Sequence, residues 1–482
     1  MTADAHSSHS YSPAETAALV ARHLAERTGE FAVIGLARSG EAAARLLCRA
    51  GVRVYVSDRS DNDAVQQSAA RLRGEGAQVD VGTHDLARIA RAVCVVASPG
   101  VPPNAPPMAA ARAAGVPIVS EVEVALRLTP ALRYIAVTGT NGKTTTTAMI
   151  GVLLRALGHV AVDVGNIGTP VSEIPLLDPA PSWAALELSS FQLHDTPGLL
   201  PDVGVLTTLS PDHLDRYQGV DDYYADKRLL FANATAQSRW VVTSDNADAA
   251  RLVEGIPGQW HRFSTERRDV DAYFDRVSGM LHVLGVPVMH RDALALAGDH
   301  NVANALAALL AVMVADASHR TPTALQALAK ALTGFHALAH RLEPVGDAHG
   351  ITWLNDSKAT NVASTQVALA GMTRPTVLLL GGRHKGEPYT ALLPEIRRTV
   401  KAVIAYGEAA TTIAQDLSEL PGHGVTLESM ADADFPTVVA RARALAASGD
   451  VILLSPACSS YDMFNNYEER GRAFARLAKE LA

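Results

Sequence analysis

The sequence predicts an α/β protein of about three domains, built on largely parallel, doubly wound sheets. Two observations predict it. Short apolar runs alternate with helix-length segments along most of the chain, the pattern of βαβ units. The chain has 482 residues, which at roughly 150 residues per domain gives about three domains.

Taken in order, Pro13 to Arg27 reads as a short amphipathic helix after a polar tail of about twelve residues. Phe31–Ile34 is the first strand, with a turn behind it. Further strands are expected at Val52–Val56, Ala92–Ala97, Tyr134–Val137, Trp183–Leu188, Val203–Leu209, Val377–Leu380, Ala402–Tyr406 and Val451–Leu454. Sheets of this kind hold ligands at the carboxyl ends of their strands. One boundary is placed near 121, where the first sheet pattern ends. A second falls near 338, between an Ala/Leu-rich helical stretch and the polar segment before Trp353. The expected domains are therefore 1–121, 122–338 and 339–482.

Composition narrows the function. Hydrophobic residues make up 48% and charged residues 19%, as in an ordinary globular chain. A net charge of −8 argues against a nucleic-acid or anionic-membrane binder. The longest strongly apolar run, Ala305 to Ala315, is too short to span a bilayer. The N-terminus has neither a basic nor an apolar signal region. Cys48, Cys94 and Cys458 lie far apart, which fits a reducing cytosol better than a disulfide framework or a zinc motif. A cytoplasmic protein is expected.

The sharpest motif is Tyr134-Ile-Ala-Val-Thr-Gly139-Thr140-Asn141-Gly142-Lys143-Thr144-Thr145. A strand runs into a Gly-rich turn and a helix begins at once, which aims backbone N–H groups at phosphate. Lys143 suits the β/γ-phosphates and the Thr144 hydroxyl suits Mg²⁺. Val137 stands where the strict P-loop has Gly, so the loop is a variant. Gly35-Leu-Ala-Arg38-Ser39-Gly40, with Asp58 closing the next strand, approaches the dinucleotide fingerprint. Ala37 replaces its second Gly, and the same turn serves equally to pack a strand against a helix. Glu187 is a carboxylate near the end of an apolar strand, costly unless it binds a metal or a partner. Asp212-His213 follow another strand, and Lys227 lies on an expected helix. Asn301 and Asn304 are one turn apart and either read a purine edge or cap their helix. His340-Arg341, Asp356, Lys358, Lys385 and Ser460 crowd turns that follow the C-terminal strands. The residues alone point to a cytosolic ATP-using α/β enzyme.

Six motifs in one order carry a resemblance: Gly-Thr-Asn-Gly-Lys-Thr, Glu-Leu-Ser-Ser-Phe-Gln-Leu, Asp-His-Leu-Asp-Arg-Tyr, His-Asn-Val-Ala-Asn-Ala, Asn-Asp-Ser-Lys-Ala-Thr-Asn and Ser-Pro-Ala-Cys-Ser-Ser. From about 31 to 482 the chain resembles the Mur ligases, most of all those that add D-glutamate to UDP-N-acetylmuramoyl-L-alanine. The resemblance implies a Rossmann-like N-terminal domain for the UDP end. It also implies a central P-loop-type ATPase domain with a mostly parallel sheet, and a Rossmann-like C-terminal domain for the amino acid. It implies ATP-driven amide formation through an acyl phosphate in peptidoglycan synthesis, with two Mg²⁺ ions, in a monomer. Residue by residue, Gly139 to Thr145 with Asn301, Asn304, Arg341 and Asp356 would bind ATP. Thr144 and Glu187 would hold one Mg²⁺. His213 and a carboxylated Lys227 would hold the other. Lys143 would contact the phosphates, and Lys358 and Thr360 would lie beside the reacting groups, with Lys143, Glu187, His213, Lys227 and Lys358 as the catalytic set. Arg38, Ser39, Asp58 and Asn166 would bind the UDP-sugar. Thr360, Lys385, Ser460 and Tyr467 would receive D-glutamate.

The sequence departs from the family pattern at three places. His384 stands where Asp is expected, Ala37 replaces a common Gly, and Arg59-Ser60 replace a hydroxyl–Arg pair. The competing readings are a relative with another acceptor or amino acid, including folylpolyglutamate synthase, a nicotinamide dehydrogenase, and a non-catalytic P-loop switch. The Asp-Asn-Pro-Arg motif of the meso-diaminopimelate ligases is absent, and the dehydrogenase reading leaves Lys143 and Glu187 unexplained.

Overall fold

The structure, a computed structural model, describes residues 11–214, 217–296, 298–336 and 338–481. Most of the expected polar tail, and Asp215-Arg216 of the Asp-His-Leu-Asp-Arg-Tyr motif, lie outside the described residues. The expected first helix spans Pro13–Glu26, with a capping box between Ser12 and Glu15 at its start.

Three sheets follow. The first holds β1 (Glu30–Ile34), β2 (Arg53–Asp58), β3 (Gln78–Val81), β4 (Cys94–Ala97) and β5 (Ile118–Ser120). Its order is β3-β2-β1-β4-β5, and every pairing is parallel. The order reverses between β1 and β4, which places a ligand crevice at their carboxyl ends. The central sheet holds β6 (Arg133–Thr138), β7 (Ala161–Gly165), β8 (Trp183–Glu187), β9 (Val203–Leu206), β10 (Arg239–Thr243), β11 (Gln259–Ser264), β12 (Ala272–Asp275), β13 (Met280–Val283) and β14 (Val286–His290). Its order is β14-β13-β12-β11-β10-β9-β6-β8-β7. The third holds β15 (Glu343–Ala348), β16 (Ile351–Asn355), β17 (Thr376–Gly381), β18 (Val400–Tyr406), β19 (Thr426–Met430) and β20 (Val451–Leu454), ordered β15-β16-β20-β17-β18-β19.

The parallel reading holds in the interior and fails at two edges. β12, β13 and β14 form antiparallel hairpins, and β15 pairs antiparallel with β16. These strands are short and only half-buried, so they lack the continuous apolar runs that mark a strand buried on both faces. β4 and β8, buried at every position, are the strands the apolar pattern finds most easily.

The described residues divide into two compact units. One holds the chain up to Thr208 with Tyr224–Arg291 and Ala303–Leu332. The other holds Leu209–Tyr223, Asp292–Val302 and the chain from Thr333 on. The first two sheets thus share a unit. A buried tie helps to hold them: the Glu121 carboxylate, just past β5, accepts from the N–H of Ser172 at 2.9 Å and of Val171 at 3.3 Å. The apolar run at Ala305–Ala315 ends the helix Asp299–Ala315 and is buried all along its length, as expected of a core helix that is apolar all round. Among the described residues, no helix is long and apolar enough to cross a membrane.

Candidate active site

In the first unit, β6 delivers the chain to the turn 139–142, and the helix Lys143–Ala156 starts immediately. Gly139 has φ +142° and Gly142 φ +83°. A side chain at Gly142 would strike the Asn304 amide, and one at Gly139 would strike Thr207, so glycine is required at both. The turn is pinned from β9's end: Thr140 N–H donates to the Thr208 carbonyl at 2.6 Å, and the Thr207 hydroxyl donates to the Asn141 carbonyl at 2.5 Å. Asn304 accepts from the Thr146 hydroxyl at 3.3 Å, so it sits against the turn as the motif implied. Asn301 stands one turn earlier on the same helix, its amide 3.1 Å from the His300 ring.

Two cations converge here. Lys143 Nζ donates to the carbonyls of Gly139 (2.8 Å) and Thr140 (2.7 Å). Lys227 Nζ donates to the same Gly139 oxygen at 2.8 Å. Lys227 is 1% exposed, so it is no solvated surface lysine. Its neighbour Asp226 pairs instead with His194 at 2.9 Å. Two ammonium groups on one oxygen, at the positive end of a helix, form a strong anion site. Glu187 ends β8, is 1% exposed, and accepts from Asn166 Nδ2 at 2.8 Å. Thr144 and Thr145 are buried on the helix's first turn. The Thr144 hydroxyl and the Glu187 carboxylate are hard oxygen donors of the kind Mg²⁺ takes. Among the described residues no group of three or more His, Cys, Asp or Glu is arranged to hold a metal.

A cavity of about 1020 Å³ opens in the same unit, at the carboxyl ends of β1, β2, β3 and β4. Arg38, Ser39, Asp58 and Asn166 all line it. The Asp58 carboxylate accepts from the N–H groups of Leu36 (2.6 Å) and Ser60 (2.7 Å), so it braces the first turn. Ala37 has φ −71°, a conformation any residue adopts, so the backbone does not require glycine there. Gly40 is needed, because a side chain there would meet the Gly35 carbonyl and Ser98. Asn166 reaches both the cavity and Glu187, and so joins the UDP-binding candidates to the metal candidates.

The second unit gathers a different set. The Asp212 carboxylate receives Asn361 Nδ2 at 2.8 Å and Lys385 Nζ at 3.3 Å, and Lys385 also lies 3.4 Å from the Thr360 hydroxyl. His213, with φ +56°, donates its backbone N–H to Asp212 at 2.8 Å. Asp356 is buried between the Ser455 hydroxyl (2.8 Å) and the Leu342 N–H (3.3 Å). Burial pushes its carboxyl up to about 7, against the pull of Arg341. Lys358 Nζ stands 5.1 Å over the Tyr467 ring. Ser460 is buried.

Several contributors here are not among the expected site residues. Asn361, the last residue of the Asn-Asp-Ser-Lys-Ala-Thr-Asn motif, caps its helix and holds Asp212. Glu387 is 8% exposed and is pushed up to about 7 by burial and by Asp212, with Lys385 opposing. Arg470, 1% exposed, ties Ser357 to the Cys458 and Ser459 carbonyls. His384 turns to the Tyr389 hydroxyl at 2.9 Å. Arg470 lies on the buried face of the helix Tyr467–Glu480, and Glu387 lies in the loop after β17; a charged residue whose partners come from other segments has no sequence signal of its own.

Family models match in three consecutive stretches: the Mur ligase MurD-like N-terminal domain over 29–120, the Mur ligase middle domain over 137–312, and the Mur ligase glutamate ligase domain over 340–458. The chain belongs to the Mur ligase family. As a Mur ligase it is an ATP-dependent ligase of peptidoglycan synthesis. It is similar to the UDP-N-acetylmuramoylalanine–D-glutamate ligases of Anaeromyxobacter dehalogenans (40% identical, 93% of this chain and 97% of that one) and Acidobacterium capsulatum (37%, 92% and 95%). Among solved structures, MurC from Thermotoga maritima aligns over 94% of this Mur ligase and all of its own chain, at TM-score 0.59 and 18% identity. MurF from Acinetobacter baumannii aligns over 95% and 98%, at TM-score 0.59 and 16% identity. At these identities the two structures speak for the fold alone.

Proposed function

We propose that this Mur ligase joins D-glutamate to UDP-N-acetylmuramoyl-L-alanine, with ATP as the driving reactant. The observation that carries the reading is the run of relatives 35–40% identical over more than nine-tenths of the chain that bear this activity in their names. The geometry supports it. A carboxylate is a poor electrophile, and transfer of the γ-phosphoryl group of ATP to it supplies a leaving group. Lys143 and the helix start at Gly142 hold the phosphates and offset the charge that develops during transfer. Asn304 keeps the loop in shape, and Asp356 and Arg341 are assigned to nucleotide binding as part of the proposal.

Mg²⁺, when bound through Thr144 and Glu187, would neutralise phosphate charge and orient the transferring group. A second ion, on His213 and Lys227, belongs to the proposal. Two ammonium groups sharing the Gly139 oxygen repel each other, and carbamate formation at Lys227 would replace one positive charge by hard anionic oxygens. Lys385, Thr360, Ser460 and Tyr467 receive the D-glutamate carboxylates, for which an ammonium and hydroxyls are suited. Lys358 lies beside the amine as it attacks the acyl carbonyl and phosphate departs. The enzyme works in the cytoplasm as a monomer.

The test is phosphate release across a panel of UDP-muramoyl acceptors and amino acids. D-glutamate with UDP-N-acetylmuramoyl-L-alanine should exceed every other pair by at least tenfold in kcat/KM. Faster turnover with L-alanine, meso-diaminopimelate or a folate acceptor would overturn the assignment.

A further inference from the structure

Two helices that reach the phosphate turn carry, past their far ends, a polar pair outside every motif. The helix Lys143–Ala156 leaves the turn, and the helix Asp299–Ala315 carries Asn304. They meet near their beginnings, where the Thr146 hydroxyl donates to Asn304. Just past their other ends, His159 and His319 face each other, Nε2 to Nε2 at 2.9 Å. Trp183, which begins β8, packs beside both rings, 5.7 Å from His159 and 6.1 Å from His319. Arg133, which begins β6, stands 4.0 Å over Trp183. The pair therefore lies at the amino ends of the central strands, roughly 20 Å from the phosphate turn by the rise of the first helix.

Hydrogen bonding fixes where the ring protons sit. His319 is 2% exposed, and its Nδ1 lies 2.7 Å from the Val312 carbonyl. A carbonyl only accepts, so Nδ1 carries hydrogen and Nε2 of the neutral ring is an acceptor. His159 Nε2 is then the donor. A first added proton enters at His159 Nδ1 and leaves this bond in place. A second has only the His319 Nε2 lone pair to take, and it sets two N–H groups against each other. The surroundings oppose charging. Burial, the largest cause, holds His159 below its ordinary value of 6.5, with His319 and Arg133 acting the same way and Asp316 against them. The Ser318 N–H and hydroxyl and Arg133 keep Asp316 well below the usual carboxylate range, so it stays anionic. Arg133 is shared between Asp316 at 3.0 Å and Asp202 at 2.8 Å. Arg155, on the helix before His159, is paired with Asp163 at 3.1 Å, and Arg320 turns to the Met313 carbonyl.

We infer that the His159–His319 pair is a proton-governed latch on the ATP site. Closed, it holds the two helices together at one end, and so holds Asn304 against the phosphate turn at the other. Opened by double protonation, it frees the far ends and loosens the fit of Asn304 to the turn. Both histidines are positioning residues, acting through their helices. The inference rests on the ATP-site reading above. Its sign follows from the proton count. A ring held below 6.5 in the folded chain takes its proton later than in the unfolded chain, so its contribution to stability is intact above about pH 6.5 and is lost as pH falls below it.

The experiment is isothermal titration of the full-length enzyme with ATP and Mg²⁺, without acceptor or amino acid, at about pH 7.5 and about pH 5.5, on either side of the imidazole range. Wild type should bind ATP more weakly at the lower pH. His159→Gln offers an amide that donates to His319 Nε2 when that ring is neutral and accepts from it when charged, so the bond persists at both values. Its loss of affinity on acidification should be smaller than that of wild type by about threefold or more, the scale of one hydrogen bond. His159→Phe makes no such bond, and at the higher pH it should already bind ATP about threefold or more weakly than wild type or His159→Gln. Equal acid losses in wild type and His159→Gln, or wild-type affinity in His159→Phe at the higher pH, would overturn the latch. Lys143→Ala separates the two readings. Undiminished ATP binding in that variant removes the ATP-site reading and the latch with it. Weakened binding there, with an unchanged acid response in His159→Gln, removes the latch alone.

Discussion

The phosphate turn of the first unit and the polar cluster of the second handle anions by opposite means. At the turn, the backbone provides the shape. Two glycines in the left-handed region bend the chain, a helix begins, and two lysines bond one carbonyl oxygen. In the second unit the backbone only delivers side chains. Asp212, Thr360, Asn361, Lys385 and Glu387 come from three separated segments, and carboxylates outnumber lysines among them. A backbone-built site is local in sequence and offers positive potential without titratable groups beyond its lysines. A side-chain-built site is scattered and carries its own counter-charges, which a ligand must replace.

If this contrast is right, the largest loss should come from the turn. Lys143→Ala should lower ATP-dependent product formation roughly a thousandfold or more, because a phosphate clamp acts mainly in the transition state. Phosphate release near the wild-type rate would break the comparison. Lys227→Ala should cost a comparable amount, and a short carboxylate such as acetate should restore part of the activity by supplying the missing oxygens. Full activity without any added carboxylate would sink the carbamate proposal.

In the second unit, Lys385→Ala should act on one substrate. The KM for D-glutamate should rise by about ten- to a hundredfold, while the KM for ATP stays within about twofold, since the lysine supplies one charge-assisted contact to the amino acid. Equal rises for both substrates would mean that Lys385 shapes the whole site and would blur the distinction between the two regions.

The same contrast explains what was readable in advance. The turn at Gly139–Lys143 is contiguous and its residue types are dictated by backbone geometry, so the sequence displays it. Asn304, far away in the chain, was recognisable only through its motif, and the structure sets it against Gly142. The interior strands β1, β4, β6 and β8 announce themselves by continuous apolar runs. The edge strands β12 to β14 alternate or expose one face, and so look like loops. Glu387 and Arg470 carry no pattern of their own, because the partners that shape each include residues far off in the chain, Asp212 for Glu387 and Ser357 for Arg470. Lys227 was placed on a helix by its neighbours, yet its burial depends on the approach of the Gly139 turn.

The smallest expected effect tests the counter-charge itself. Glu387 has an ordinary value of 4.5 and is pushed up to about 7, first by burial and then by Asp212, against Lys385 and the Val362 N–H. A carboxyl whose folded value lies above its unfolded value binds its proton more tightly when folded. The unfolded chain therefore gains more from ionisation as pH rises. Below about pH 4.5 the group is neutral in both states and costs nothing. Between about 4.5 and 7 stability falls, and above 7 the full penalty, at most about 3 kcal/mol, is present. Glu387→Gln keeps an acceptor for the Val362 N–H but cannot ionise. The variant should thus melt higher than wild type at pH 8, with the difference shrinking steadily towards pH 4.5. Melting temperatures of the two full-length proteins across that range decide the matter. A pH-independent difference would mean that Glu387 is ionised throughout at little cost. The second unit would then hold its carboxylates as comfortably as the turn holds its lysines.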